Sequence, residues 1–525
     1  MRLPQSADLL YGQLVALSGK AKRTWAADHT SAAVAVRDGE VDVGELAEAT
    51  RRFARGVQAA GIAAEDWCVV RLEKPLDVLV AVCGLTAVGA VPVLLSPGLE
   101  ADAAHTALKT VPHSMHLLVA RARAEEFPEA LAVDAARLVW EDVWEQDGDG
   151  EADTATATDT DALPQHGVER SPDSPYLVTH TSGTTGVPKL AVHTRASFYQ
   201  QSVIQTRMLR LLRLRGYAAF ATSPVHIRTL SALLTGITAG VSLLILGSEQ
   251  RDSVREQLER WRPEYLETHP NTFVTWEDLA DAGVMSSVRV FLATFDATHP
   301  RTVDRLLAGS RRRLAVFMEV YAQSEVGPIA FHVRTRRRRR GGVETELAGH
   351  RVGHAIPGYA AIRVVDENGA AVPRGQAGRI QVRAKGRFAG YLNFPEKFTQ
   401  NLFEEHWWDT GDWGSLGRGG TLRLLDRQVE RLEGAPSGIA LEDVLLSRIP
   451  DLAEVVVLET EDGLLPVIAG RPGAEPVGPE EWSAATGDMP ALAAPLSVAW
   501  EEIPRTATGK VRREVLRGRL ADMER

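Results

Sequence analysis

The chain has 525 residues, 44% hydrophobic and 24% charged, with a formal net charge of −10. Since this length exceeds one ordinary hydrophobic core, we expect two or more globular domains. The negative charge argues against a nucleic-acid-binding protein, and no apolar run approaches the roughly 18 residues of a membrane span. Cys68 and Cys83, both in apolar surroundings, exclude a disulfide framework. Together with a start that lacks a signal-peptide pattern, they predict a cytoplasmic protein.

The first elements alternate between strand and helix. Apolar residues recur at helical spacing over 43–60, and this pattern ends at Gly61. Residues 67–72 and 91–96 have the apolar composition of buried strands, and 75–90 that of a buried helix. Strand, helix and strand with short links predict a parallel sheet covered by helices.

Later segments complete the domain organisation. An acidic, small-residue stretch predicts a flexible loop at about 147–174, and alternation of strand and helix resumes after it. Residues 359–372 have a hairpin pattern, as part of a β-rich region after Arg334. The predicted class is therefore α/β: a large N-terminal domain of layered α/β subdomains plus a β-rich subdomain, and a small, mobile α+β C-terminal domain. The boundary is predicted at 1–425 and 426–525.

A run of arginines from Arg334 to Arg340 is the strongest cluster of like charge. Such runs usually form a solvated loop, which is the interpretation we favour here. Binding of nucleic acid or of a phosphorylated ligand stays open as the alternative for this segment.

The stretch "THTSGTTGVPKLAVHT" combines glycines, hydroxyls and a lysine after a predicted strand. Glycine lets backbone N–H groups approach phosphate oxygens, hydroxyls add donors, and lysine adds a positive charge. The spacing differs from the nucleotide loop of P-loop NTPases, which requires Ser or Thr after the lysine. We predict a phosphate-binding loop formed by Thr181, Ser182, Gly183, Thr184, Thr185, Gly186 and Lys189.

Five segments in order resemble one known family. "TSGTTGVPK", "YAQSEVG", "GRIQVRAKGRFAGYLN", "WWDTGDWG" and "IPRTATGKVRR" are spread over more than half of the chain. They resemble the AMP-forming adenylating enzymes, which include acyl- and aryl-CoA synthetases, adenylation domains of peptide synthetases, and luciferase. In this family a carboxylate attacks the α-phosphate of ATP, pyrophosphate leaves, and an acyl-adenylate forms.

The resemblance implies a role for individual residues. Lys510 is expected to be the adenylation lysine and Glu325 the ligand of Mg²⁺, which prefers hard oxygen donors. The nucleotide would be bound by the residues of the phosphate loop and by a second group, in which Tyr321 contacts adenine and Asp412 accepts the ribose hydroxyls. This second group consists of Tyr321, Ser324, Asp412 and Arg427.

The expected substrate pocket departs from the family pattern. His226 matches a His or aromatic position beside that pocket and is included among the catalytic candidates. Arg228 could pair with an anionic substrate or face solvent. Phe295 and Asp296 stand where the family has glycines, so a small or reshaped pocket is expected; Ala322 completes the candidate lining.

The hinge between the predicted domains is altered as well. Arg427 is kept, but Val429 and Glu430 replace two aspartates of the family pattern. This change puts thioester formation in doubt more than adenylation, because Lys510 and its loop are intact.

Three functions follow from these patterns. The leading one is adenylation of a small carboxylic acid, with an aromatic acid favoured, and transfer to CoA or a carrier-protein thiol. The alternative keeps adenylation but transfers to an amine, or activates nitrite so that an aryl amine becomes a diazo compound in specialised metabolism. A non-catalytic nucleotide-binding protein is disfavoured because Lys510 and Glu325 are present. We expect a monomer or a homodimer.

Overall fold

The computed structural model describes residues 9–19, 23–109, 111, 115–126, 137–145, 167–181, 187–294, 296–336, 349–461, 463–506 and 509–523. The chain divides into two compact units. The first unit consists of Met1–Leu266, Ser324–Gly327 and Lys385–Gln400, and the second of Glu267–Gln323, Pro328–Ala384 and Asn401–Arg525. Most of the predicted acidic loop and the second half of the arginine run lie outside the described residues. The boundary at residue 426 stays a prediction.

The α-helices of the described residues are numbered in chain order. They are α1 Leu10–Ser18, α2 Val43–Ala59, α3 Pro75–Ala87, α4 Ala101–Lys109, α5 Trp140–Glu145, α6 Arg195–Leu212, α7 Ile227–Ala239, α8 Arg251–Trp261, α9 Pro270–Thr275, α10 Glu277–Asp281, α11 Pro300–Gly309, α12 Pro395–Asn401, α13 Gly438–Arg448, α14 Pro479–Thr486 and α15 Arg513–Met523. Short 3₁₀ helices add Arg121–Glu126, Gln428–Glu430 and Trp500–Glu502. Among the described residues, none of these helices is both long enough and apolar enough to cross a bilayer.

The strands are numbered in the same way. They are β1 Thr24–Ala27, β2 Glu40–Asp42, β3 Trp67–Arg71, β4 Val91–Leu94, β5 Met115–Val119, β6 Arg137–Val139, β7 Pro175–His180, β8 Leu190–Thr194, β9 Ala218–Ala221, β10 Leu243–Ile245, β11 Tyr265–Thr268, β12 Val290–Ala293, β13 Val316–Gln323, β14 Gly327–Thr335, β15 His350–Ala355, β16 Ala360–Val365, β17 Ala377–Ala384, β18 Gly390–Tyr391, β19 Leu402–Phe403, β20 Trp407–Leu416, β21 Thr421–Arg427, β22 Leu452–Thr460, β23 Gly463–Gly470 and β24 Leu496–Ser497.

The first unit contains a seven-stranded sheet with the order β18-β8-β7-β4-β3-β5-β6. Its central strands are parallel, and β8 pairs antiparallel with both β7 and β18. A second set of strands in this unit has the order β9-β10-β1-β2. Parallel strands linked through helices confirm the α/β class, and the predicted strand–helix–strand is β3, α3 and β4.

Local sequence explains the first helices of this unit. The Asp42 side chain accepts hydrogen bonds from the backbone N–H groups of Gly44 and Glu45, at 2.7 and 3.1 Å, and so caps α2. Helix α3 begins with Pro75, which is tolerated in the first turn, and 12 of its 13 residues are buried. The two cysteines lie in this core; both are fully buried, and neither forms a disulfide.

The second unit contains strands in the order β16-β17-β20-β21-β15-β14-β13-β12 and a separate sheet β22-β23-β24. Strand β12 pairs parallel with β13. The antiparallel pairs are β14 with β15, β15 with β21, β16 with β17, β17 with β20, and β20 with β21. In the predicted hairpin, Asp366 Oδ1 accepts the backbone N–H groups of Asn368 and Ala370, each at 2.9 Å. The turn lies where the hairpin was predicted, with a bridge between Val365 and Ala371, but the strand that pairs with β16 is β17, beyond residue 372.

The segment between β21 and α13 is hydrogen-bonded at several points. Asp426 accepts N–H groups from the first turn of α13, and burial raises the pKa of this carboxyl to about 7. Gln428 donates to Asp409 at 3.0 Å, and Glu430 forms an ion pair with Arg513 at 3.4 Å. The segment predicted as a hinge is thus held by hydrogen bonds and an ion pair from Asp426 to Glu430.

A buried group of histidines and carboxylates, which we call the Asp443 node, connects α13 with the β-strands of the same unit. The Asp443 carboxylate accepts hydrogen bonds from His299 Nδ1 at 2.7 Å and His350 Nδ1 at 3.0 Å. The other nitrogen of His350 lies 3.3 Å from Glu319 Oε1. Burial alone would lower the pKa of His350, but the facing carboxylates of Glu319 and Asp443 raise it to about 10.

The side chain of Arg301 binds the C-terminal end of α13. Arg301 in α11 donates to the carbonyl oxygens of Leu446, Pro450 and Leu452 at 2.9, 3.1 and 2.8 Å. These bonds satisfy carbonyl groups at and beyond the last turn of α13, where a positive charge is favourable. The C-terminal segment of the second unit is therefore attached to α11 by directional, charge-assisted contacts.

Candidate active site

The base of the predicted phosphate loop is an antiparallel hairpin between β7 and β8. The Thr181 N–H donates to the carbonyl oxygen of Lys189 at 2.9 Å, which closes the loop. Asn393 accepts the Leu190 N–H at 2.9 Å and donates to the Pro188 carbonyl at 2.9 Å. Because both peptide neighbours of Lys189 are held by one buried amide, the backbone at this lysine is fixed. Ser182, Gly183, Thr184, Thr185 and Gly186 lie outside the described residues.

Tyr391 connects the two charged groups expected to meet the phosphates and the metal. Its hydroxyl donates to Glu325 Oε1 at 2.5 Å, and the ammonium of Lys189 lies 5.0 Å from the centroid of its ring. The Phe388 N–H also donates to the Glu325 carbonyl oxygen, at 2.7 Å. The first unit thus holds a carboxylate at the hydroxyl of Tyr391 and a cation over its ring.

His226 is buried at the N-terminal end of α7, and its ring faces that of His180 with 5.6 Å between centroids. His180 Nε2 accepts the Ser96 N–H at 3.1 Å, and burial lowers the pKa of His180 to about 4. Arg228, in the first turn of α7, donates to the side-chain oxygen of Gln205. The hydrogen bond made by Arg228 was not expected from sequence.

The second unit brings together the residues expected to contact adenine and ribose. The Tyr321 hydroxyl donates to Asp412 Oδ2 at 2.5 Å, and the Gln323 amide donates to the same oxygen at 3.0 Å. Asp412 and Arg427 are direct partners in the register of β20 and β21, and Arg427 Nε lies 3.7 Å from Asp412 Oδ1. Gly411 has a φ of +73°, which explains the glycine of the Thr-Gly-Asp segment.

Electrostatics at Asp412 are set by burial and by its neighbours. Burial raises the pKa of this carboxyl, while the charges of Arg427 and Lys510 and the hydrogen bonds from Tyr321 and Gln323 oppose that rise. Burial and the adjacent carboxylate raise the pKa of Tyr321 well above 10.0. Tyr321 therefore stays a hydrogen-bond donor at neutral pH. The positive charge of Lys510, which lowers the pKa of Asp412, comes from within the same unit.

A family model decides the class of the protein. The model described as "AMP-binding enzyme" matches residues 23–392, which is more than half of the chain. The chain belongs to this family of AMP-binding enzymes. It is an adenylate-forming enzyme that uses ATP, as the resemblance of its five segments implied.

Individual relatives extend the match over most of the chain. The chain is 35% identical to "3-amino-2-hydroxy-4-methoxybenzoate diazotase" from Streptomyces cremeus over 494 residues, covering 90% of this chain and 88% of the relative. It is 26% identical to "Indoleacetate--CoA ligase" from Aromatoleum aromaticum over 515 residues, covering 92% and 94%. ATP-bound MatB from Rhodopseudomonas palustris has the same fold, with a TM-score of 0.76, 19% identity and coverage of 98% and 100%.

Two described groups of the predicted phosphate loop fit the nucleotide that the family uses. Thr181 Oγ1 is buried and has no hydrogen-bond partner among the described residues. A buried hydroxyl without a partner is unfavourable, so an oxygen-rich ligand would satisfy it. Together with the ammonium of Lys189, this hydroxyl suits a phosphate oxygen.

The remaining predicted residues are placed differently. Asp296 is exposed, and its carboxylate accepts the N–H of Ala297 at 3.0 Å, while Phe295 lies outside the described residues. Ala322 is the second-to-last residue of β13, and Ser324 lies in the turn between β13 and β14. The pocket roles of these residues stay predictions.

Some residues that bond to the candidate site residues or to their neighbours were not expected from sequence. They are His180, Gln323, Tyr391 and Asn393. Tyr391 and Asn393 both occur in "GRFAGYLN", a segment that resembles the family and could have indicated them. His180 directly precedes the predicted phosphate loop, and Gln323 lies in the segment "YAQSEVG".

Proposed function

We propose that this AMP-binding enzyme is a diazotase, which uses ATP to activate nitrite and converts an aromatic amine into a diazo compound. The observation that carries the proposal is its 35% identity to the Streptomyces cremeus diazotase over 90% of the chain. The CoA ligase that matches a similar share of the chain is only 26% identical. The altered hinge, with Val429 and Glu430, agrees with a second step that does not use a thiol.

The first step joins nitrite to the adenylyl group. A nitrite oxygen attacks the α-phosphorus of ATP, the bond from that phosphorus to the bridging oxygen breaks, and pyrophosphate leaves. The product is a mixed anhydride of nitrite and AMP. Since two anions must meet, cations are needed to offset their repulsion. We assign this role to Lys510 at the α-phosphate and to Lys189 at the phosphates.

Glu325 is the proposed carboxylate for Mg²⁺. Mg²⁺ usually takes one or two protein carboxylates and fills its other positions with water and phosphate oxygens, which a single Glu325 fits. When bound, the metal would supply Lewis-acid stabilisation of charge on the phosphate oxygens. Tyr391 orients this carboxylate through its 2.5 Å hydrogen bond. Asp412, with Tyr321 and Arg427, is proposed to bind the ribose and adenine.

The second step uses an aromatic amine. The amine nitrogen attacks the nitrogen of the mixed anhydride, the bond from that nitrogen to the AMP oxygen breaks, and a proton leaves the amine. The resulting N-nitroso amine rearranges to a diazohydroxide, which takes up a proton and loses water as the diazonium ion. His226 is the proposed acceptor of the amine proton, Arg228 the partner of an anionic substrate group, and Asp296 a partner of the amine.

Trapping of the diazo product tests this proposal. The purified enzyme is incubated at about pH 8 with Mg²⁺-ATP, nitrite and a panel of aminobenzoates, because uncatalysed diazotisation needs acid. Pyrophosphate is measured, and the diazonium ion is coupled to a naphthol and quantified as a dye. We expect nitrite-dependent pyrophosphate and dye, neither of which responds to CoA. Dye formation without ATP, or pyrophosphate without any need for nitrite, would contradict the proposal.

Thioester formation is the second candidate. It is favoured by the similarity to indoleacetate–CoA ligase over 92% of the chain. In that case pyrophosphate release would follow an organic acid such as a benzoate or cinnamate, rise with CoA, and give an acyl-CoA. The same panel therefore separates the two functions. A cytoplasmic location belongs to the proposal because free cysteines suit a reducing compartment.

A further inference from the structure

The loop that carries Lys510 is closed by its own hydrogen bonds. The Thr506 N–H donates to the Lys510 carbonyl at 2.8 Å, and the Gly509 N–H donates to the Thr506 carbonyl at 2.9 Å. The Lys510 N–H also donates to Thr506 Oγ1, at 3.2 Å. Gly509 has a φ of +77°, a conformation that favours glycine. These bonds join Thr506 to Gly509 and Lys510, but they do not determine how this turn is oriented in the unit.

The carbonyl oxygen of Gly509 accepts two hydrogen bonds from outside this turn. One comes from Arg505 Nη1 at 3.2 Å; the same guanidinium bonds Glu454 at 2.8 Å and lies 4.1 Å from the Trp500 ring centroid. The other comes from the side-chain amide of Asn271, in the first turn of α9. A carbonyl oxygen has two lone pairs, so this acceptor is fully used.

Asn271 differs from Arg505 in what it connects. Arg505 belongs to the same C-terminal segment as Lys510, whereas Asn271 lies 238 residues before Gly509 in the chain. Its amide is partly buried, and the Gly509 backbone is packed against its side chain, so that a Cβ built at Gly509 would lie 3.5 Å from Asn271 Nδ2. The peptide that immediately precedes Lys510 is thus held by α9.

We propose that Asn271 is a positioning residue for adenylation: its amide holds the Gly509 carbonyl and thereby aims the ammonium of Lys510. This inference rests on the proposed role of Lys510 as the adenylation lysine. The positive charge of Lys510 lowers the pKa of Asp412, so the ammonium is close enough to act on the carboxylate proposed to bind the ribose. Because a misplacement of about 1 Å can cost about 100-fold in rate, one hydrogen bond at this peptide can control the reaction.

A double-mutant cycle tests the inference. The variants are Asn271→Ala, which removes the donor, Asn271→Asp, which keeps the volume but cannot donate, and Lys510→Ala, alone and combined with Asn271→Ala. Asn368→Ala is the matched control, since its exposed side chain lies in the β16–β17 turn of the same unit. The readouts are pyrophosphate release with nitrite and an aminobenzoate, and hydrogen exchange of the amides of residues 503–512.

We expect both Asn271 variants to lower kcat for pyrophosphate release by about 10- to 100-fold with little change in KM for ATP. Exchange at residues 503–512 should accelerate, and the melting temperature should stay close to that of Asn368→Ala. In the Lys510→Ala background, Asn271→Ala should cause no further loss, because the residue acts through that lysine.

The inference would be overturned if Asn271→Ala lowered kcat by the same factor in the Lys510→Ala background as in the wild type. A normal rate and normal exchange in both Asn271 variants would overturn it as well. Wild-type enzyme that releases no pyrophosphate with nitrite would instead count against the proposed function. The cycle is then run with whichever acid of the panel supports release, and the exchange measurement decides on Asn271 independently of the substrate.

Discussion

Replacement of Asp443 by asparagine isolates the contribution of the Asp443 node. The change keeps the shape of the side chain but removes the charge that accepts hydrogen bonds from His299 and His350 at 2.7 and 3.0 Å. Charge-assisted hydrogen bonds contribute about 1.5–3 kcal/mol each, so two of them bound the effect at about 3–6 kcal/mol. Breaking a buried pair from one side typically costs about 3–5 kcal/mol, and we expect that loss near pH 6.

The loss should depend on pH with a definite sign. The pKa of His350 is raised from 6.5 to about 10, so its stabilisation is complete below pH 6.5 and disappears as pH rises through about 10. Burial would raise the pKa of Glu319, but His350 and His332 lower it from 4.5 to about 2. Its stabilisation is therefore present above pH 4.5 and is lost as pH falls through about 2. The effect of Asp443→Asn should shrink between pH 6.5 and 10.

Hydrogen exchange of the α13 amides measures this free energy locally, so it does not require two-state unfolding of the whole chain. Other charged groups that face the node are Glu454, 3.9 Å from His299 Nε2, as well as Arg301 and Arg334. Asp488→Asn is the matched control, because Asp488 forms an exposed pair with Arg448 in the same segment. We expect the control to leave α13 protection unchanged. Equal losses for Asp443→Asn at pH 6.5 and 10, or no loss at all, would refute the reasoning.

Three further predictions concern the proposed nucleotide site. Tyr391→Phe removes the hydroxyl bonded to Glu325 but keeps the ring near Lys189, and should reduce kcat for pyrophosphate release about 10-fold, the equivalent of about 1.4 kcal/mol; an unchanged rate would show that Glu325 needs no such support. Since burial raises the pKa of Asp412, kcat/KM for ATP should fall with decreasing pH at a value above 3.8, and Asp412→Asn should abolish that limb of the profile. Asn393→Ala leaves buried backbone groups unsatisfied beside Lys189 and should lower thermal stability by about 1–3 kcal/mol while raising KM for ATP.

Residues that are adjacent in a motif or in strand register were accessible from sequence. The pairing of Asp412 with Arg427 follows from two strands joined by a short turn, and both residues lie in recognisable segments. The alternation of β3, α3 and β4 was likewise readable because a period of two or 3.6 residues is a local property. Such features depend on neighbours within about 15 residues, which a sequence pattern records directly.

Contacts between distant segments were not accessible in this way. Asn271 meets Gly509 across 238 residues, and Asp443 meets His350 and His299 across 93 and 144 residues. None of these positions has a periodicity or spacing that marks it, because the partners are brought together only by packing of complete elements. Sequence patterns therefore predicted the groups proposed to perform the chemistry, but not the distant side chains that contact their segments.

The burial of both cysteines has a consequence for the proposed diazotase, whose intermediate would be a nitrosating species. Thiolates are the nucleophiles that react with such reagents, and reactivity depends on access and on ionisation. Cys68 and Cys83 have no exposed surface, and burial raises the pKa of the Cys68 thiol far above its ordinary value. A core that keeps both thiols out of reach of solvent would protect the proposed diazotase from S-nitrosation by its own intermediate.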